Sequence, residues 1–303
     1  MKNQNSLKNY ILQICVEYRV YFLSLFAVSI IASLFEISVH YKIKEIIDDI
    51  TTNQNANLTI LLGLFVFFKF MNHGMFFIVR LLNLKYKPEF ISKMTSGMYK
   101  KTINHSLHWF DSHMSGEIAG KINGFQMGMS DIVSTLFRSL VILWAIIIGV
   151  VFLFKVHYLS ALVQLVFLFI YTPVIYLLLK KQLKLQESYE KSSQEIVGVV
   201  NDSISNIFGI KVIGNVVNEF KLKLTPALLK KQEWGRITRR FDAFWVDNTD
   251  TLMIVTMSAA QIYLLSYLYQ NDQISVGGFA FVAMIMLKVH SDINNLLDYI
   301  LIK

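Results

Sequence analysis

NHSLHWFDSHMSGEIAGK, residues 104–121, is a polar, aromatic and turn-rich stretch set between two long apolar segments. It reads as helix, break, helix. Residues 104–110 suit a helix, Asp111 and Ser112 interrupt it, and Ser115 is a good N-cap for the helix that follows. Gly116 and Glu117 then put a carboxylate into the first turn of that helix, where the macrodipole favours it. The stretch is expected to be the tip of a helical hairpin. What carries the tip depends on the segments to either side.

Those segments are apolar enough to cross a membrane. Of the 303 residues 54% are hydrophobic, and the mean hydropathy of +0.47 is above that of soluble domains. Only three prolines and 14 glycines leave little room for a turn-rich β architecture. The class is therefore an all-α polytopic membrane protein. A net charge of +8 invites nucleic acid as a partner, but basic cytoplasmic loops account for it better, and no nucleic acid is expected. Cys15 is the single cysteine, which excludes an intrachain disulfide and a cysteine-rich metal site. Residues 1–18 are polar with scattered charges, and no small-residue cleavage site follows the first apolar run, so no signal peptide is expected. Tyr10, Ile11, Ile14 and Tyr18 fall at helical spacing, as in a helix lying on the membrane surface; a mobile tail is the alternative.

Six spans are expected within one domain over residues 1–303: about 20–40, 58–82, 132–154, 158–179, 249–269 and 274–300. Residues 41–57 read as a short polar loop, 155–157 as a tight turn and 270–273 as another. The two long loops, 83–131 and 180–248, keep apolar residues at helical spacing and read as helical. They hold six and twelve basic residues, whereas the short turns hold only Lys42, Lys44 and Lys155. The positive-inside rule then puts both long loops and both termini in the cytoplasm. Two helices of about 20 residues and a turn would carry each tip about 30 Å beyond the bilayer.

In this setting the motifs resemble the membrane domain of ATP-binding-cassette (ABC) exporters. Trp109-Phe110-Asp111 followed by Ser115-Gly116-Glu117-Ile118 is similar to the family's pattern at its first coupling helix. GVVNDSISNIFGIKVIGNVVNEF, residues 198–220, resembles the segment holding the second coupling helix. QISVGGFAF, residues 273–281, is similar to the entry into the last membrane helix. Lys121 and Gly124 stand where the family carries Arg and Asp, so the family's ion pairs at that point are not matched. The resemblance implies the exporter transmembrane-domain fold and a dimeric alternating-access pathway, homodimeric or heterodimeric, in a bacterial cytoplasmic (inner) membrane. It also implies that the tips dock on an ATPase. The residues expected there are Trp109, Phe110, Asp111, Ser115, Gly116 and Glu117 in the first tip, and Ile213, Gly214, Asn215 and Phe220 in the second. No G-x-x-x-x-G-K-[ST] phosphate loop occurs, and Lys303 follows the sixth span within a few residues. The chain is thus expected to be no enzyme on its own and to bind no cofactor, with ATP and Mg held by a partner or missing nucleotide-binding domain. A truncated remnant without transport activity, or a membrane assembly protein that kept the fold, are the alternatives.

Charged residues within the spans are the candidates for a translocation path. Lys69, Asn72 and His73 share one face of the second span, and the first of these costs about 2.5–3.5 kcal/mol at the bilayer centre unless it faces protein or water. They could line a cavity for an anionic group; a Lys69–Glu36 pair, or snorkelling of Lys69, is the favoured reading. Lys288 and Asp292, four residues apart on the last span, are expected to pair. His105, His108 and His113 cluster near the first tip but lack the carboxylates of a good metal site, and no metal is expected. The spans are rich in Phe, Leu and Ile, which suits a hydrophobic or amphiphilic substrate.

Overall fold

The computed structural model describes residues 2–52, 57–111, 115–213 and 216–301. These form helices α1 (Lys2–Glu17), α2 (Arg19–Thr51), α3 (Leu58–Ile103), α4 (Leu107–Asp111), α5 (Ser115–Val156) and α6 (Tyr158–Ser205). The order continues with α7 (Ile207–Ile213), α8 (Val216–Glu219), α9 (Thr225–Phe241), α10 (Asn248–Gln270) and α11 (Val276–Leu301). Two π-helical turns, Phe220–Leu224 and Asp242–Asp247, flank α9. No strand occurs among the described residues. Six helical stretches are long and apolar enough to cross a membrane, which gives the all-α, six-span fold.

One expected loop is helical. Residues 41–51, read as polar loop, continue α2 to Thr51. Their charges fall at helical spacing and pair along the helix: Lys42 with Glu45, and Lys44 Nζ with Asp48 Oδ2 at 2.8 Å. The other face packs, with the Tyr41 ring edge-on to Phe152 and Phe281. Polar composition marked these residues as outside the bilayer without making them a turn.

Helices α3, α5 and α6 have 46, 42 and 48 residues. At 1.5 Å per residue they measure about 69, 63 and 72 Å, about twice what a 30 Å hydrocarbon core needs.

Contacts divide the chain into two compact units. The first comprises Met1–Ser92, Ser130–Tyr171 and Met253–Lys303. Its core gathers Ile37, Ala145, Leu153, Leu265, Phe281 and Ile285, all nearly inaccessible. Polar groups buried here are tied across helices: Ser33 Oγ donates to Val141 O at 2.8 Å, and Asn72 Nδ2 donates to Ala32 O at 2.9 Å. Gly277, in the first turn of α11, donates its N–H to Asp48 Oδ1 at 2.8 Å, and a Cβ there would run into the main-chain carbonyl of Lys44. Only glycine permits so close an approach of α11 to α2. Large apolar side chains such as Val66, Phe70, Leu81 and Phe169 stay exposed on this unit, as helices in lipid require.

The second unit comprises Lys93–Met129 and Thr172–Leu252. It is held by polar contacts between α6 and the segment around α9. Gln182 Nε2 donates to Asp242 Oδ1 at 2.6 Å, and Lys230 pairs with Glu195 at 2.6 Å. Lys231 lies over the Tyr189 ring. Near the start of α5, Gly116 sits so close to Asn201 of α6 that a Cβ would stand 2.7 Å from its Nδ2.

Candidate functional site

The two stretches expected as tips hold the short helices α4 and α7. In the first, α4 follows a turn closed by the His105 N–H on Thr102 O at 3.1 Å, and the Ser106 hydroxyl accepts from the Trp109 N–H at 3.4 Å. The His105 ring stacks on Trp109 with centroids 4.4 Å apart, and Phe110 meets Trp109 edge-on at 5.1 Å. Trp109 and Phe110 are half-buried by this stacking, and Leu107 beside them is 83% exposed. The aromatic pair therefore packs the turn and leaves an apolar edge outward. Asp111 ends α4, and Ser115 and Glu117 begin α5; the described geometry of this first tip extends over the backbone of all three. His113 lies outside the described residues, as do Gly214 and Asn215 of the second tip.

The stretch expected to hold the second tip, residues 198–220, contains a short helix before residue 214. Its short helix is α7, Ile207–Ile213, so Ile213 is the last residue of that helix. Phe208 and Val212 stand 80% and 69% exposed on α7, and Val216, Val217 and Phe220 continue an apolar edge after it. Behind them is an apolar cavity of about 240 Å³ walled by Val199, Ile204, Ile207, Ile210 and Phe220. Glu219, at its rim, accepts from Lys223 and from Ser203 Oγ at 3.2 Å. The hydrogen bond from Lys223 holds its carboxyl below the ordinary glutamate range.

Charges also meet inside the membrane-spanning unit. Lys288 Nζ of α11 lies 2.8 Å from Glu36 Oε1 of α2 and 2.9 Å from Asp292 Oδ2. The expected Lys288–Asp292 pair forms, but the Lys69–Glu36 pair does not. Helix α11 packs against α2 and brings Lys288 to Glu36, while Lys69 stays exposed on α3. Asn72 turns inward to Ala32, and His73 is exposed, so the three residues of that face do not act as one site. A cavity of about 280 Å³ opens beside the cluster. Glu36, Arg138, Lys288, Asp292 and Asn295 form its polar wall, and Phe76, Val141 and Ile142 its apolar wall.

The family model for the ABC transporter transmembrane region matches residues 22–289. The chain belongs to this family. It is the membrane-spanning region of an ABC transporter, an integral membrane protein of several passes whose class works with an ATPase. No curated protein matches the chain. The matched region takes in α4, α7, the charged cluster up to Lys288 and the first half of α11. The matched region of the ABC transporter family is its transmembrane region, which does not include the family's ATPase domain.

Two features of the domain escaped sequence reasoning. Arg138 stands a few residues inside an otherwise apolar span, which was itself the available signal, yet only the fold shows that it shares a cavity with residues 150 positions away. Phe208 and Val212 lie within the 198–220 motif, and only the fold shows that both stand exposed on α7. Among the described residues no three His, Cys, Asp or Glu side chains gather as metal ligands.

Proposed function

We propose that the chain is the membrane-spanning subunit of an ATP-driven exporter, forming half of a dimeric alternating-access pathway in a bacterial inner membrane. Both termini and both tips lie in the cytoplasm, as the placement of basic residues favours. ATP with Mg is bound by a partner ATPase subunit or domain. Its closure pushes on α4 and α7, and the long helices behind them carry the displacement to the spans. The observation that carries this reading is the pair of short helices with exposed apolar edges, α4 set between helices about twice as long as a bilayer requires and α7 following a third such helix. A compact apolar edge on a stiff lever is what an anchor in a partner's groove needs. The first anchor is Leu107 with Trp109 and Phe110, and Asp111, Ser115, Gly116 and Glu117 belong to the same tip by their sequence motif. In the second, Phe208 and Val212 join Ile213 and Phe220. Gly214 and Asn215 keep their expected place in it by sequence alone.

The test is copurification. The tagged chain is extracted from its own membranes in mild detergent, its companions are identified, and ATP hydrolysis is assayed. A stoichiometric partner carrying a phosphate loop, lost on Trp109→Ala with Phe110→Ala or on Phe208→Ala with Val212→Ala, supports the exporter subunit. A folded chain with no ATPase companion moves the reading to a remnant or an assembly protein.

A further inference from the structure

The cavity beside Glu36 has unbalanced charge on two sides. On one side a single ammonium, Lys288, serves two carboxylates, Glu36 and Asp292, so the group carries one negative charge in excess. On the other side is Arg138, which has no carboxylate within ion-pair distance among the described residues. Both sides open on the same space of about 280 Å³. The rest of the lining is the amide of Asn295 and the apolar surface of Phe76, Val141 and Ile142.

Charges in a membrane span are costly, and they persist where they face water, a partner charge or a ligand. A purely structural network would close the guanidinium onto a carboxylate; here the two excess charges are held apart with a cavity between them. We infer that this cavity takes a zwitterionic group, an ammonium lodged against Glu36 and Asp292 and an anionic phosphate or carboxylate against Arg138. The guanidinium fork suits a two-oxygen anion, and the Phe76 face suits a quaternary or protonated amine. The volume lies near the lower end for drug-sized ligands, so the site reads a head group and leaves any tail outside. This inference rests on the transporter reading above, since it names the class of substrate for that pathway.

Four probes share the relevant chemistry: hexylphosphocholine, hexyl phosphate, hexyltrimethylammonium and tail-less phosphocholine. Each is titrated below its aggregation limit against the whole purified chain, with any copurifying partner, and thermal unfolding is followed. Hexylphosphocholine is expected to stabilise saturably, with an apparent affinity at least about tenfold above either single-charge probe. Tail-less phosphocholine separates the sources: comparable affinity means a soluble zwitterion, and weaker affinity means a lipid-like amphiphile. Arg138→Gln is expected to weaken hexylphosphocholine and hexyl phosphate about tenfold and leave hexyltrimethylammonium unchanged. Three tailed probes binding alike, no saturable binding, or an Arg138→Gln effect equal on all of them would overturn the inference. The unmutated chain decides the first two, so a variant that fails to fold does not shield the idea. A chain that binds an ATPase but does not rank the probes removes this inference alone. A chain that ranks them without an ATPase partner removes the exporter reading and keeps the site.

Discussion

Replacing Gly277 by alanine strikes the closest approach between α2 and α11. The added Cβ would meet the main-chain carbonyl of Lys44 and stand 2.6 Å from Asp48 Oδ1. A backbone carbonyl cannot rotate away as a side chain can, so the helices must part. Parting them overpacks the contact, at about 1–3 kcal/mol. It also weakens the hydrogen bond from the Gly277 N–H to the Asp48 carboxylate, a charge-assisted bond of about 1.5–3 kcal/mol. Alanine returns up to about 1 kcal/mol of helix propensity. The net expectation is a loss of about 1.5–5 kcal/mol, the balance of these contributions. The assay is thermal unfolding of the purified chain in mild detergent by far-UV circular dichroism, with size-exclusion chromatography to confirm monodispersity. Gly120→Ala is the control, because nothing lies within 4 Å of a Cβ at that position. It should leave stability unchanged or raise it by up to about 1 kcal/mol. If Gly277→Ala unfolds within about one degree of the parent, the packing of α11 on α2 described above is wrong.

Two further substitutions separate roles. Lys288→Met leaves Glu36 and Asp292 facing one another without their counter-ion and should cost about 3–5 kcal/mol, whereas Glu36→Gln keeps the Lys288–Asp292 pair and should cost less. Unfolding temperatures in the reverse order would refute the bridging role of Lys288. For Glu219, outside the spans, the hydrogen bond from Lys223 depresses the folded pKa, so its stabilising contribution is complete above the ordinary glutamate value and fades as the pH falls through the folded one. Thermal melts of the parent and Glu219→Gln should therefore differ most above about pH 5 and converge in stronger acid; a gap that widens on acidification contradicts this.

The spans were legible because each is a long apolar run, and hydropathy reports lipid directly. The end of α2 was not, because residues 41–51 are polar in composition but helical in the spacing of their charges. Lys42 with Glu45 and Lys44 with Asp48 were visible in the sequence, and reading them as pairs would have extended the helix. The Glu36–Lys288 contact joins residues 252 positions apart, and no local pattern prefers it over Glu36–Lys69. Both lysines lie within spans and both could have reached; the packing of α11 on α2 decides. The break and the aromatic residues before α5 are visible in the sequence, whereas the start of α7 is marked by no turn residue beyond Asn206.

The close approach of Gly116 to Asn201 has a consequence for how such chains diverge. A side chain gained at position 116 needs room that only a shorter residue at 201 would give, since the nearest atoms are those of the asparagine itself. The two positions are bound to change together, although 85 residues of chain separate them. A lineage that lost the glycine without trimming the asparagine would have to move the start of α5 away from α6.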